Sequence, residues 1–151
     1  MKKMMTIIIL SVIGIAVAFM AYNKVIPIGF GIHKPVYQVS NVALNGYDVT
    51  SYFKENLKKG STEFSMNHLG VDWHFSSKEN LNLFKEEPER YIPQFGGYCS
   101  KAVSTGFAAP ADPSIYTVYK GNLYIFSSED VKENFNKNPS NIISACEKKW
   151  K

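Results

Sequence analysis

Laid over itself at an offset of 51 residues, the sequence repeats Gly70, Phe75, Ser76, Ser77, Phe84, Pro88 and Ile92 as Gly121, Phe126, Ser127, Ser128, Phe135, Pro139 and Ile143. Trp73 recurs as the aromatic Tyr124. A fixed period of this length constrains the fold strongly, because it asks one supersecondary unit to occur twice. Phe64–His68 and Val71–Phe75 read as strands about the turn Leu69-Gly70, where Gly70 supplies a positive φ. That register sets Met66 opposite Trp73 and Phe64 opposite Phe75 on an apolar face, with His74 opposite Ser65 on the polar one. Ser77 then caps a helix through Asn80, Leu81 and Phe84, and Pro88 opens a further turn before Tyr91 and Ile92. The second unit follows suit, with strands Ile115–Tyr119 and Leu123–Phe126, cap Ser128, a helix through Phe135, then Pro139 and a C-terminal helix to Trp150. Duplication and convergence on shared local structure both account for the repeat. Two hairpins with helices on one face make an α+β domain.

Ahead of this domain lies a membrane signal. Met4–Tyr22 is a run of 19 uncharged residues dominated by Ile, Val, Leu, Met and Ala, behind Lys2 and Lys3. A transmembrane helix needs about 20 such residues and the core of a signal peptide only ~7–15. Ala18, Met20 and Ala21 make a poor cleavage site, which favours an uncleaved anchor over a removed signal. A soluble core helix would keep one polar side, and this run is apolar all round. Lys2 and Lys3 hold the N-terminus in the cytoplasm and place the rest in the periplasm or outside the cell. Residues 1–22 are therefore read as anchor or signal peptide, 23–39 as a linker marked by Pro27, Gly29, Gly31 and Pro35, and 40–151 as the domain.

The charge balance shrinks under this division. The whole chain carries 17 basic and 13 acidic residues, and without Lys2 and Lys3 the basic count is 15, leaving +2. That excess is too small and too scattered for a nucleic-acid surface. The membrane is the expected partner; no protein partner is legible. The sequence has no G-x-S-x-G, H-E-x-x-H, P-loop or G-x-G-x-x-G pattern. Glu86, Glu87, Glu89 and Arg90 read as a solvated helix end.

Within the domain, Asn45-Gly46 is a turn signal and Asp48 stands where it would cap a short helix or turn over Val49–Lys54. The segments Ala43-Leu44-Asn45-Gly46-Tyr47-Asp48, Ser51-Tyr52-Phe53, Trp73-His74-Phe75-Ser76-Ser77, Pro88-Glu89-Arg90-Tyr91 and Gln94-Phe95-Gly96-Gly97-Tyr98-Cys99 resemble those of exported bacterial YHS domain proteins. The likeness runs on through Ala102-Val103-Ser104, Asp112-Pro113 and Gly121-Asn122-Leu123-Tyr124 to Trp150. It implies a small α+β module of a kind found in metal-handling proteins. Metal-binding relatives carry a cysteine where this chain has Ser76.

Cys99 is the leading ligand candidate, behind Gly96-Gly97 and Tyr98 and ahead of a short helix over Ser100–Val103 that would lower a thiol pKa. Tyr98, Asp48 and Tyr47 are the polar groups expected beside it, although capping and packing explain Asp48 and Tyr47 equally. His74 is the second metal candidate, and His68 and His33 are weaker. Cys146 lies one helical turn from Ile142 and Trp150, where packing explains it, yet an oxidising compartment would permit a disulfide with Cys99. The leading expectation is a tethered, non-enzymatic ligand-binding module, with copper or another soft metal ion on Cys99. The alternatives are a thiol redox protein using Cys99 and Cys146, and an interaction module without a small ligand.

Overall fold

The computed structural model describes residues 2–54 and 56–150; Met1 and Lys151, the outer ends of the expected anchor and domain, lie outside the described residues. The chain begins with α1 (Lys2–Tyr22), which is long and apolar enough to cross a membrane or to serve as a signal sequence. None of its apolar window is buried. Short strands β1 (Ile26–Pro27), β2 (Gln38–Val39) and β3 (Val42–Ala43) follow. Then come the hairpin β4 (Ser61–His68) and β5 (Val71–Phe75), helices α2 (Lys78–Glu86) and α3 (Pro88–Tyr91), and the short α4 (Ser100–Ser104). β6 (Phe107–Ala108), the hairpin β7 (Asp112–Tyr119) and β8 (Asn122–Phe126), α5 (Glu129–Lys137) and α6 (Pro139–Lys149) complete an α+β fold.

The repeat is present in three dimensions. Leu69 and Gly70 sit at φ 54° and 73°, and Lys120 and Gly121 at 51° and 79°, the paired positive values of a tight hairpin turn. Ser77 and Ser128 share an extended backbone, φ −159° and −160°, and each side chain accepts a hydrogen bond from the third amide beyond it, that of Asn80 or Val131. Phe84 lies 5.1 Å from Trp73 and 5.2 Å from Phe75, and Phe135 lies 5.1 Å from Tyr124 and 5.0 Å from Phe126. Pro88 and Pro139 both open the next helix, where the missing N–H costs nothing.

One pairing differs from expectation. Met66 faces Trp73 and Ser65 faces His74 as the alternation requires, but the partner of Phe75 is Ser61, not Phe64. A bulge between Ser61 and Ser65 takes up the extra residues, and the Ser65 hydroxyl donates to the Thr62 carbonyl at 2.9 Å to close them locally. The second hairpin bulges at the matching place, between Asp112 and Tyr116.

The stretch expected to be a linker is built into the domain instead. β1 pairs with β6, Ile28 is 4% exposed and Val36 1% exposed. The Tyr37 amide donates to the Gly96 carbonyl at 2.8 Å. Gly96 has to be glycine: its φ is 63°, and a Cβ there would run into the Pro35 carbonyl. Buried apolar residues form two clusters, one around Trp73 and Phe84 and one around Tyr124 and Phe135. The first also takes in Cys99, Ala111, Leu123 and Ile125 from the second half.

Candidate functional site

The repeat reaches further than the hairpins. Leu44, Asn45 and Gly46 have φ 49°, 51° and 77°; Phe95, Gly96 and Gly97, 51 residues on, have 56°, 63° and 78°. Tyr47 and Tyr98 both follow at φ −69°. The Asp48 amide then donates to the Lys58 carbonyl at 2.9 Å, and the Cys99 amide to the Ala109 carbonyl at 3.1 Å. Asp48 and Cys99 are thus the same position of two superposable turns. The sequence carries one sign of this, Gly-Tyr at 46–47 and again at 97–98.

Asp48 is wholly buried and fully occupied. Its Oδ1 accepts from the Thr50 amide at 3.0 Å and hydroxyl at 2.8 Å. Its Oδ2 accepts from the Ser76 amide at 2.8 Å, the Ser76 hydroxyl at 2.7 Å and the Asn80 side-chain amide at 2.7 Å. Burial pushes its pKa up, but the bonds from Ser76, Asn80 and Thr50 outweigh burial and hold the carboxyl below its ordinary value. The Asn80 Oδ1 in turn accepts from Lys54 Nζ at 2.7 Å. The carboxylate therefore ties the 3₁₀ turn Val49–Lys54, the end of β5 and the start of α2 into one latch. Ser76 supplies two of the five hydrogen bonds of that latch, one from its amide and one from its hydroxyl. Thr50, Ser76 and Asn80 are the residues that sequence reasoning missed here.

Cys99 is held far more loosely. It is 3% exposed, and its thiol makes a 3.4 Å hydrogen bond to the Ser127 hydroxyl, the counterpart of Ser76. Its backbone bridges to Ile125 alongside. Cys146, buried on α6, donates from its thiol to the Ser100 carbonyl at 3.1 Å. Burial, then the nearby Cys99, push the Cys146 thiol up to about 12. Both cysteines are free thiols, so the disulfide considered from the sequence is not formed. Each sulfur has a hydrogen-bond partner of its own instead.

The other candidates are dispersed. His74 lies on β5 opposite Ser65, whereas the Cys99 thiol bonds to Ser127 and its backbone bridges to Ile125. Among the described residues no group of three or more His, Cys, Asp or Glu side chains is placed to hold a metal ion. Tyr47 is covered by Lys59, whose Nζ sits 3.7 Å from the ring centre. Tyr98 is buried among Tyr37, Trp150 and His33 at centroid distances of 5.5, 5.8 and 6.2 Å, and burial raises its pKa. His68 packs edge-on against Phe84. Comparison with protein-family models, with curated proteins and with solved structures finds no match to this chain.

Proposed function

We propose that the chain is a membrane-tethered, exported YHS-type domain that works as a non-enzymatic binding module, taking a soft metal ion such as copper(I) on Cys99 with Cys146 as second sulfur. What supports this is the contrast at one position: the Asp48 carboxylate accepts five hydrogen bonds, whereas the Cys99 thiol makes one, at 3.4 Å to Ser127, and the Cys146 thiol lies 3.1 Å from the carbonyl of the adjacent Ser100. Copper(I) is satisfied by two thiolates, so the site needs neither His74 nor a cysteine at position 76. A bound cation deprotonates a coordinating thiol, which sets the high Cys146 pKa aside. That same pKa disfavours Cys146 as the resolving thiol of the redox alternative, because a resolving thiol attacks as its thiolate.

The reading is tested with the reduced full-length protein in detergent, titrated with copper(I) against a chromophoric competitor. Stoichiometric retention is expected, abolished by Cys99→Ser and weakened in Cys146→Ala. Retention indifferent to both substitutions, or none at all, refutes the metal site. A Cys99–Cys146 disulfide that forms under mild oxidant and is returned to two thiols by added dithiol reductant would favour the redox alternative.

A further inference from the structure

Among the described residues, the two most exposed large apolar side chains outside α1 follow it closely in the sequence. Phe30 is 74% and Ile32 70% exposed, both within ten residues of Tyr22, and Phe107, 36% exposed, is paired with Pro27. This exposure is built in. Ile28 plugs the loop into the core, its amide donates to the Gly106 carbonyl at 2.9 Å, and the Gly31 amide closes the 3₁₀ turn Ile28–Phe30 on the Ile28 carbonyl at 2.9 Å. The fold therefore holds Phe30 and Ile32 out while burying their neighbour.

The loop also returns to where it began. Lys24 and Lys34 line one cleft of about 370 Å³ with Ile26, Tyr37 and Tyr98. The Val25 amide donates to the Met20 carbonyl at 2.9 Å, so the base of the loop is fixed to the end of α1. An aromatic and an aliphatic apex between two exposed lysines, beside a helix of membrane-spanning length, is the chemistry that settles at a lipid interface. We infer that residues 24–34 form a second membrane contact, with Phe30 and Ile32 seated in the interface of the bilayer that α1 enters and Lys24 and Lys34 among its headgroups. This rests on the tethered reading above.

The full-length protein, reconstituted in phosphatidylcholine vesicles with and without phosphatidylglycerol, tests it through Phe30→Trp and Ile32→Trp, with Val118→Trp on β7 as comparator and the emission of native Trp73 and Trp150 subtracted. With shallow nitroxide-labelled lipid, the tryptophan at 30 or 32 is expected to lose about half its emission, since interfacial side chains sit ~5–10 Å into the boundary, and the one at 118 to lose little. Anionic lipid is expected to deepen the quenching, and Lys24→Gln with Lys34→Gln to remove that increment. A chain that resists alkaline extraction yet shows no lipid quenching at 30 and 32 overturns the loop contact alone. A blue-shifted but unquenched tryptophan there does the same and assigns the loop to a protein surface. A chain released by alkali overturns the tether and the inference together.

Discussion

The first half of the domain closes its turn on a carboxylate, and the second closes a matching turn on a thiol. The backbone barely registers the change, since the dihedrals of 44–47 and 95–98 agree closely. The surroundings do. Asp48 draws its donors from Thr50, Ser76 and Asn80; the counterparts at 51 residues' distance are Lys101, Ser127 and Val131. Only the serine survives. A carboxylate at 99 would be buried with two of its three side-chain donors gone, so a small, weakly polar sulfur suits that site better than an ion does.

Three perturbations sharpen or break that comparison. The largest effect belongs to what the halves share. Phe84→Ala and Phe135→Ala should each cost about 3–5 kcal/mol in chemical denaturation, because each removes a buried ring packed against two others. A marked inequality between them would show that the halves are not energetic equivalents.

Next comes the exchange of chemistry. Cys99→Asp alone should destabilise by about 3–5 kcal/mol, as an underpaired buried charge does. Adding Lys101→Thr and Val131→Asn should recover about 1.5–3 kcal/mol by restoring charge-assisted hydrogen bonds. No recovery would mean that donors are not what separates the two sites.

The smallest effect is the pH dependence of the latch. Asp48 titrates below its ordinary 3.8 in the folded state, so its contribution is complete above that value and is lost as pH falls through the folded pKa. Asp48→Asn should cost about 1.5–3 kcal/mol at neutral pH, a cost that shrinks in acid. Urea midpoints that fall in parallel for the two proteins below pH 4 would remove Asp48 from the acid sensitivity.

Much of this was legible from the sequence, and the omissions have physical causes. Hairpin turns and caps depend on neighbouring residues, so Gly70, Gly121, Ser77 and Ser128 announced themselves. The bulge at Ser61–Ser65 did not, because alternation carries no mark of an inserted residue. Ile28 and Val36 are single apolar residues among Pro and Gly, without any period, and only tertiary packing makes them core. Asp48 caps its turn through Thr50, as its place in the sequence predicts, but its bonds to Ser76 and Asn80 span 28 and 32 residues and no local pattern encodes them. The copies at 44–48 and 95–99 share little beyond Gly-Tyr, since the repeat there conserves dihedrals rather than side chains.

The core around Trp73 has a consequence for how the chain is born. It is completed by Ala111, Leu123 and Ile125, none of which has emerged when residue 92 leaves the ribosome. The nascent first half thus carries a hydrophobic face with nothing to cover it, and its strands must stay unaggregated while about 30 more residues are added, a few seconds at ordinary synthesis rates. Isolated fragments ending near Ile92 should be sticky and poorly ordered for the same reason. Similar as they are, the two halves reach the native state together or not at all.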